Sequence, residues 1–161
     1  MRLTFGIDPG LSGAVAVLGD GEYLDCLDMP TVGRGRKVRQ WIDSPALAAW
    51  LRSIRAAHPG SVSSAVIEEV QNRPGEAGRA GFRFGSAVGC VDGVLGGVGV
   101  PFRYVRPQVW KEATGLIGTD KDAARLRAGE LFPAAPLSRK RDQGRADALL
   151  MALWAWRQEA A

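Results

Sequence analysis

Three acidic residues occupy positions where an ordinary solvated acid is not expected. Asp8 ends the first hydrophobic run, in FGIDPGLSG, directly before a proline and a glycine. Glu68 lies at the end of the hydrophobic segment SVSSAVIEEV. Asp147 lies in GRADALLMALW, where apolar residues follow it at i+3, i+4 and i+7, on its own side of a predicted helix. These spacings predict three carboxylates at the border of a hydrophobic core.

Buried carboxylates in one place favour divalent-metal chemistry. Burying one ionised carboxylate costs several kcal/mol, and neighbouring carboxylates add mutual repulsion. Mg²⁺ and Mn²⁺ prefer oxygen ligands, and a pair of such ions can activate a water and stabilise the leaving oxygen in phosphodiester hydrolysis. The only histidine, His58, lies at a predicted helix end, which disfavours nucleases that use a catalytic histidine. The Glu-x-Lys motif of another nuclease class is absent after Glu68 and Glu69.

Asp8 and Asp147 also have an ordinary structural interpretation, whereas the position of Glu68 in a covered strand argues against one. Asp8 could belong to a solvated turn. Alternation along a central strand places Glu68 and Glu69 on opposite faces, both of them covered. Asp147 could be favoured by the positive end of its helix, although it lies beyond the first turn if that helix begins near residue 142.

Composition is that of a globular protein with a basic surface. The chain has 161 residues, of which 46% are hydrophobic and 24% charged, which predicts a single domain over residues 1–161. The sequence contains no run of about 18 apolar residues, so it predicts no membrane span, and the N-terminus does not resemble a signal peptide. Cys26 and Cys90 are isolated thiols, typical of a reducing cytosol. We therefore expect a cytoplasmic protein.

The net charge of +4 is concentrated in two clusters. The first consists of Arg34, Arg36, Lys37 and Arg39; the second consists of Arg139, Lys140, Arg141 and Arg145, with one acid among them. Both fit contacts to a polyanion, and both equally fit solvated loops.

Hydrophobic alternation and turn signals predict a mixed α/β sheet. Five strands are predicted over residues 2–8, 14–18, 23–29, 62–70 and 102–105, with an Asp-Gly hairpin between the second and third. Helices are predicted over 44–58, over 84–98, after Pro107, from the Thr119–Asp122 capping sequence to before Pro133, and over 142–158. Residues 30–42 and 71–81 are predicted loops. The ribonuclease H-like fold has this order, and so does one lobe of the actin-like ATPases.

Several longer stretches, taken together, resemble one family. FGIDPGLSGAVAVL, AVIEEV and GRADALLMALW, in this order and spacing, resemble the RuvC-type Holliday junction resolvases. FRFGSAVGCVDGVLGGVGVPFRYVRPQVWK and TDKDAARLRAGELFP resemble their bacteriophage and prophage branch. The resemblance implies a ribonuclease H-like fold, with a three-strand antiparallel meander plus two parallel strands flanked by helices. It also implies a homodimer that cuts four-way DNA junctions with Mg²⁺ or Mn²⁺, two ions per site.

The resemblance assigns the metal ligands residue by residue. Asp8, Glu68 and Asp147 match three of the acids of the family. The fourth ligand, three residues before the last aspartate, is matched here by Gly144. Asp142 could replace it, although five residues of regular helix turn about 140°, and Asp142 is also a good N-cap.

DNA contacts and a dimer interface are implied in the same way. Lys121 matches a DNA-binding lysine, and Lys111 is offset from another by one residue. Phe82 could stack on an unpaired base or lie in the core, because the usual aromatic position is matched by Gln71. The remaining predicted contacts are basic: Arg34, Arg36, Lys37, Arg73, Arg79 and Arg83.

Four glycines recur at every fourth residue of one predicted helix: Gly85, Gly89, Gly93 and Gly97. Because each costs a helix about 1 kcal/mol relative to alanine, their register suggests that another backbone approaches this face. That backbone could belong to the chain's own sheet or to a second subunit, since the family dimerises through this helix.

The sequence therefore predicts a crossover junction endodeoxyribonuclease acting on four-way and other branched DNA, in a bacterial or phage-infected cell, with no membrane or nucleotide cofactor. One alternative is a junction-binding protein with an incomplete metal site. The other is an actin-like ATP-binding lobe, which is disfavoured because such ATPases need two lobes.

Overall fold

Seven strands and five helices make up the described part of the chain. The computed structural model describes residues 1–35, 39–69, 78–120 and 122–160. The strands are β1 (Arg2–Ile7), β2 (Ala14–Gly19), β3 (Glu22–Asp28), β4 (Thr31–Arg34), β5 (Arg39–Ile42), β6 (Val62–Glu68) and β7 (Phe102–Val105). The helices are α1 (Ser44–Ala57), α2 (Arg79–Val98), α3 (Pro107–Ala113), α4 (Ala123–Leu131) and α5 (Gln143–Ala160).

The central sheet has five strands in the order β3-β2-β1-β6-β7. Strands β1, β2 and β3 form an antiparallel meander, whereas β6 pairs in parallel with both β1 and β7. The β2–β3 turn contains Asp20 and Gly21 at φ values of 50° and 90°, a conformation that Asp-Gly adopts readily. The predicted fold class, a mixed five-stranded sheet of a meander and two parallel strands, is confirmed.

Two predicted loops are wrong in part. Residues 30–42 contain the antiparallel pair β4–β5, in which Val32 lies opposite Trp41. Gly33 and the surrounding arginines interrupt the hydrophobic alternation, so the sequence does not signal these strands. Helix α2 begins at Arg79, five residues before the predicted start at Phe84. The predicted start was too late because the Gly/Arg-rich composition there suggests a loop.

The sheet separates two hydrophobic cores. On one side, Ala14, Ala16, Leu18, Val66 and Val105 pack with the apolar face of α5. On the other side, the alternate residues of the same strands pack with α1 and α2. The alternation of side chains along each strand therefore decides which residues face α5.

None of the helices in the described ranges is long and apolar enough to cross a membrane.

Helix α5 approaches β1 very closely at one glycine. A Cβ atom added to Gly6 would lie 1.9 Å from the carbonyl oxygen of Ala148 and 2.7 Å from the nitrogen of Ala152. Only glycine allows this contact, so Gly6 sets the distance between α5 and the central strand.

We expect Gly6→Ala to destabilise the protein by about 1–3 kcal/mol, because α5 must move away from the sheet. Gly129→Ala is the matched control: it lies within α4 with no atom within 4 Å of an added Cβ, so it should stabilise by up to about 1 kcal/mol. Urea denaturation of the two variants measures both signs. Equal stability of Gly6→Ala and the wild type would contradict the close approach.

Candidate active site

The register of the sheet brings Asp8 and Glu68 together. Ile7 of β1 lies beside Ile67 of β6 in a parallel pair, so the next residues, Asp8 and Glu68, leave the two strands side by side. Both continue the strand positions that face α5, whereas Glu69 is exposed and lies on the alternate face. The negative charge of Asp8 raises the pKa of Glu68, although burial of Glu68 raises it more.

Asp147 joins the pair from the second turn of α5. It is half-buried between fully buried Ala146 and Ala148, on the helix that packs across β1 and β2. Its pKa is raised to about 7, mainly by burial and also by the charges of Glu68 and Asp8, while the charge of Lys111 opposes the rise. The three predicted carboxylates therefore act on one another electrostatically.

The loop after β1 is built around the Asp8 side chain. The backbone N–H of Gly10 donates to Oδ1 of Asp8 at 3.1 Å. Burial raises the pKa of Asp8, while this hydrogen bond and the charge of Lys111 oppose the rise. A Cβ atom on Gly13 would lie 2.2 Å from the Asp8 carbonyl oxygen and 2.7 Å from its Cγ. Glycine at position 13 therefore lets the loop fold back over Asp8.

Two residues of α3 complete the site. The indole Nε1–H of Trp110 donates to Oε1 of Glu68 at 3.0 Å. Lys111 lies near enough to all three carboxylates for its positive charge to oppose the pKa rise of each one. Its ammonium nitrogen lies 5.2 Å from the centroid of the Trp110 ring. The sequence analysis predicted Lys111 as a DNA contact and missed Trp110, whose only signal was its position beside that lysine.

The three carboxylates do not form a closed metal-ligand set in this arrangement. Within residues 1–35, 39–69, 78–120 and 122–160, no group of three His, Cys, Asp or Glu side chains is placed to hold one ion. Asp147 opens onto a cleft of about 330 Å³, whose other lining residues include Lys111, Thr119 and Asp120. Three oxygen-bearing, mutually repelling acids beside an open cleft nevertheless fit the donor chemistry of a hard divalent cation.

Asp142 is bound elsewhere. It ends the 3₁₀ turn Lys140–Asp142 just before α5, and only 1% of its side chain is exposed. Arg139 donates to both carboxylate oxygens, through its backbone N–H at 2.8 Å and through its guanidinium at 2.6 and 2.9 Å. This pairing lowers the pKa of Asp142. The structure thus gives Asp142 the capping role, and its role as a fourth ligand stays a prediction without support from its contacts.

Gly144, at the position of the missing fourth ligand, lies against the loop of Asp8. A Cβ atom there would lie 3.0 Å from backbone atoms of Ser12 and Gly13. A side chain at position 144 would therefore press against the loop that carries Asp8, which would have to shift by a few tenths of an ångström.

The other predicted DNA contacts are only partly described. Arg36, Lys37, Arg73 and Lys121 lie outside the described residues; Arg34 lies in β4, and Arg79 begins α2. Phe82 is 68% exposed, so it is not a core residue. Its ring makes an edge contact with Trp41 at 6.5 Å between centroids, beside Arg83 in an apolar groove.

The glycine face of α2 does not pack on the chain's own sheet. Gly85, Gly89, Gly93 and Gly97 are exposed, and a Cβ atom on any of them would meet no atom of the described residues within 4 Å. The buried residues of α2 lie on its other face, among them Ala87, Val91 and Leu95. Of the two interpretations, close packing within the chain is wrong for these residues, and a subunit interface stays a prediction.

Comparison with solved structures identifies the architecture. T. thermophilus RuvC in complex with a Holliday junction substrate matches with a TM-score of 0.67 at 17% identity, over 100% of this chain and 97% of that one. The fold is that of RuvC. A second Thermus thermophilus RuvC structure matches with a TM-score of 0.57 at 19% identity, over 99% of this chain and 96% of that one.

A sequence comparison points to the same class of protein as the fold comparison. The chloroplastic Holliday junction resolvase MOC1 of Chlamydomonas reinhardtii is 36% identical over 115 residues, which are 70% of this chain. The chain spans 13% of the length of that relative. No protein-family model matches the chain. The resemblance to RuvC-type resolvases is thus confirmed in fold and in sequence, while the phage-like branch stays a prediction.

We expect Asp147→Asn to stabilise the metal-free protein at pH 8. The folded pKa of about 7 lies above the usual value of 3.8, so the ionised form opposes folding: the penalty is absent below pH 3.8 and complete above pH 7. The gain should be on the order of 2–4 kcal/mol at pH 8 and vanish near pH 4. Thermal denaturation in a chelator at both pH values measures it.

Asp142→Asn is the control of opposite sign. The pKa of Asp142 is lower in the folded protein than its usual value, so its ionised form stabilises the fold. This contribution is present above the usual pKa and is lost as pH falls through the lowered, folded-state pKa. The variant should therefore lower Tm at pH 8. A stabilising Asp142→Asn, or an Asp147→Asn without effect, would contradict the electrostatics described above.

Proposed function

We propose that this protein is a metal-dependent, structure-selective endonuclease that resolves four-way DNA junctions and other branched DNA. The observation that carries the proposal is the meeting of Asp8, Glu68 and Asp147, from β1, β6 and α5, beside Lys111. The RuvC fold and the resolvase relative support the same substrate class. Three mutually repelling acids are costly to retain without a cation to bind, so a purely structural role explains them poorly.

Asp8, Glu68 and Asp147 are the residues that would hold Mg²⁺ or Mn²⁺, with two ions per site. When bound, such ions supply Lewis-acid activation of water and charge stabilisation at the scissile phosphate. The carboxylates fit this role because their oxygens are hard donors and their repulsion is relieved by added positive charge.

The chain's own groups prepare the site for hydrolysis. The Gly10 N–H holds Oδ1 of Asp8, and Oδ2 accepts no hydrogen bond from the described residues. The Lys111 ammonium lowers the local negative potential that would otherwise repel a phosphate. A water attacks in line with the leaving oxygen, and the products carry 5′-phosphate and 3′-hydroxyl ends.

DNA would be held by basic residues from several parts of the chain. Arg83 and exposed Phe82 lie at the start of α2, and Phe82 is available for stacking on an unpaired base. Arg34, Arg36, Lys37, Arg73, Arg79, Lys111 and Lys121 remain the predicted phosphate contacts. Binding through such contacts weakens as salt increases.

A homodimer would carry two such sites on a two-fold axis. The exposed glycines of α2 allow two helices to approach closely, and a symmetric junction needs two symmetric cuts. The cytoplasm of a bacterial or phage-infected cell is where this substrate would be met.

A junction-binding protein that does not cut is the second candidate. It is favoured by the open ligand arrangement, by the pairing of Asp142 with Arg139, and by the lack of room at Gly144. Strong Mg²⁺-dependent cleavage of a synthetic four-way junction would exclude it.

Asp8→Asn should abolish cleavage while junction binding survives. We expect the cleavage rate to fall by at least about 100-fold, since even indirect partners of metal ligands cost about 10–100-fold when removed. Labelled four-way, three-way and linear DNAs, each with Mg²⁺ or Mn²⁺, measure cutting, and gel shifts with Ca²⁺ measure binding. Asp20→Asn is the matched control, because Asp20 is exposed in the β2–β3 turn and asparagine tolerates its positive φ. Loss of binding together with cutting would count against the assignment.

Gly89→Arg should convert the dimer to a monomer. A buried, unpaired charge at an interface costs about 3–5 kcal/mol, equivalent to at least a 100-fold weaker dimer. Light scattering across a dilution series measures the change. Gly129→Arg, on α4 with similarly open space, should leave the mass unchanged. A wild-type chain that is monomeric at all concentrations would reject the interface.

A further inference from the structure

We propose that Trp110 is a positioning residue that orients Glu68 and Lys111 together for metal binding. This inference rests on the proposed function, because it concerns how the same site receives its cation. It assigns a role to a side chain that the sequence places in the hydrophobic core.

The hydrogen bond from Trp110 leaves one oxygen of Glu68 for a metal. An indole N–H is a neutral donor without an acceptor, so it can bind a carboxylate oxygen and cannot act as a base. It donates to Oε1 at 3.0 Å. The terminal torsion of a glutamate is broad and nearly two-fold, so this bond selects one orientation and directs Oε2 away from the indole.

Packing makes Trp110 a rigid donor. Its side chain is 0% exposed and belongs to the same core as Val105, Leu116 and Leu149. Leaving a buried donor without a partner is costly, so the indole N–H is held on Glu68. The sheet fixes the Glu68 backbone, and α3 fixes the indole.

The same ring supports the cation of the site. The ammonium nitrogen of Lys111 lies 5.2 Å from the Trp110 ring centroid, within the range of a cation–π contact. One aromatic side chain thereby contacts an acid through its edge and a base through its face. Trp110 sets the spacing between the anion that would bind metal and the lysine that would compete with the metal for that anion.

A second tryptophan offers an internal control. Trp50 of α1 donates its Nε1–H to Oδ2 of Asp25 at 3.1 Å, a bond of the same chemistry on the other side of the sheet. Trp50 also packs edge-on against Phe5, at 6.2 Å between ring centroids. Trp50→Phe therefore removes an equivalent bond without touching the carboxylates of the site.

The test compares metal-induced thermal stabilisation of the wild type, Trp110→Phe and Trp50→Phe without DNA. Each chain is titrated with Mn²⁺ alone, and the half-saturating concentration is read from the rise in Tm above the metal-free value. Trp110→Phe should need about tenfold more Mn²⁺, as for other hydrogen-bonded partners of metal ligands. Trp50→Phe should match the wild type in half-saturation, whatever its metal-free Tm.

The outcomes separate this inference from the proposed function. Metal stabilisation of the wild type with unchanged half-saturation in Trp110→Phe overturns the positioning role and leaves the nuclease proposal intact. A wild type without any response to Mn²⁺ or Mg²⁺ overturns both. An equal loss of metal affinity in both tryptophan variants shows a general effect of core damage and also overturns the inference.

A second measurement does not depend on the folding of Trp110→Phe. The indole N–H signals of the wild type are followed by NMR, with the Trp50 signal assigned from Trp50→Phe. Substitution Glu68→Gln and titration with Mg²⁺ should each shift the Trp110 signal and leave the Trp50 signal in place. A Trp110 signal that ignores both changes would refute the contact.

Discussion

Repulsion among three half-buried carboxylates is the constraint on which this structure depends. Burial is the main cause that raises the pKa of Asp8, Glu68 and Asp147. The charge of Asp8 adds to the rise at Glu68, and the charges of Glu68 and Asp8 add to the rise at Asp147. Such an arrangement opposes folding at neutral pH unless positive charge is supplied. The chain supplies it from Lys111, together with single hydrogen bonds from Gly10 and Trp110. Under the proposed function, a divalent cation would restore the stability that is given up at this site.

Close backbone contacts at three glycines hold the acids in place. Gly6 lets α5 lie directly on β1, Gly13 lets the loop turn back over Asp8, and Gly144 lets the start of α5 lie against that loop. These contacts leave little freedom to the backbone that carries Asp8 and Asp147. The same close contact leaves only a tight fit for a side chain at position 144, so the packing of the Asp8 loop favours glycine there.

The sequence was sufficient for the central sheet and for the three acids, because both follow from strong local signals. Alternation in β1 and β6 fixes which residues face α5, and apolar spacing in α5 fixes the face of Asp147. The β4–β5 pair was missed because Gly33 and nearby arginines break the alternation. Trp110 was missed for another reason: its hydrogen bond joins residues 42 positions apart, and nothing in local sequence reports such a contact. The absence of packing around the α2 glycines was also visible only in three dimensions.

Ion pairs anchor the start of α5, the helix that carries Asp147. They hold the helix in place although neither Asp142 nor Gly144 serves as a fourth ligand here. Arg145 forms a bidentate pair with Asp28 at the end of β3, at 2.5 and 2.8 Å, and Arg139 joins Asp28 to Asp142. This network ties the first turn of α5 to the far edge of the meander. Because its charges pair among themselves, it positions the helix without neutralising the acids of the site. The charges that anchor the helix are therefore separate from those proposed to bind a cation. The three carboxylates of the site keep an excess of negative charge.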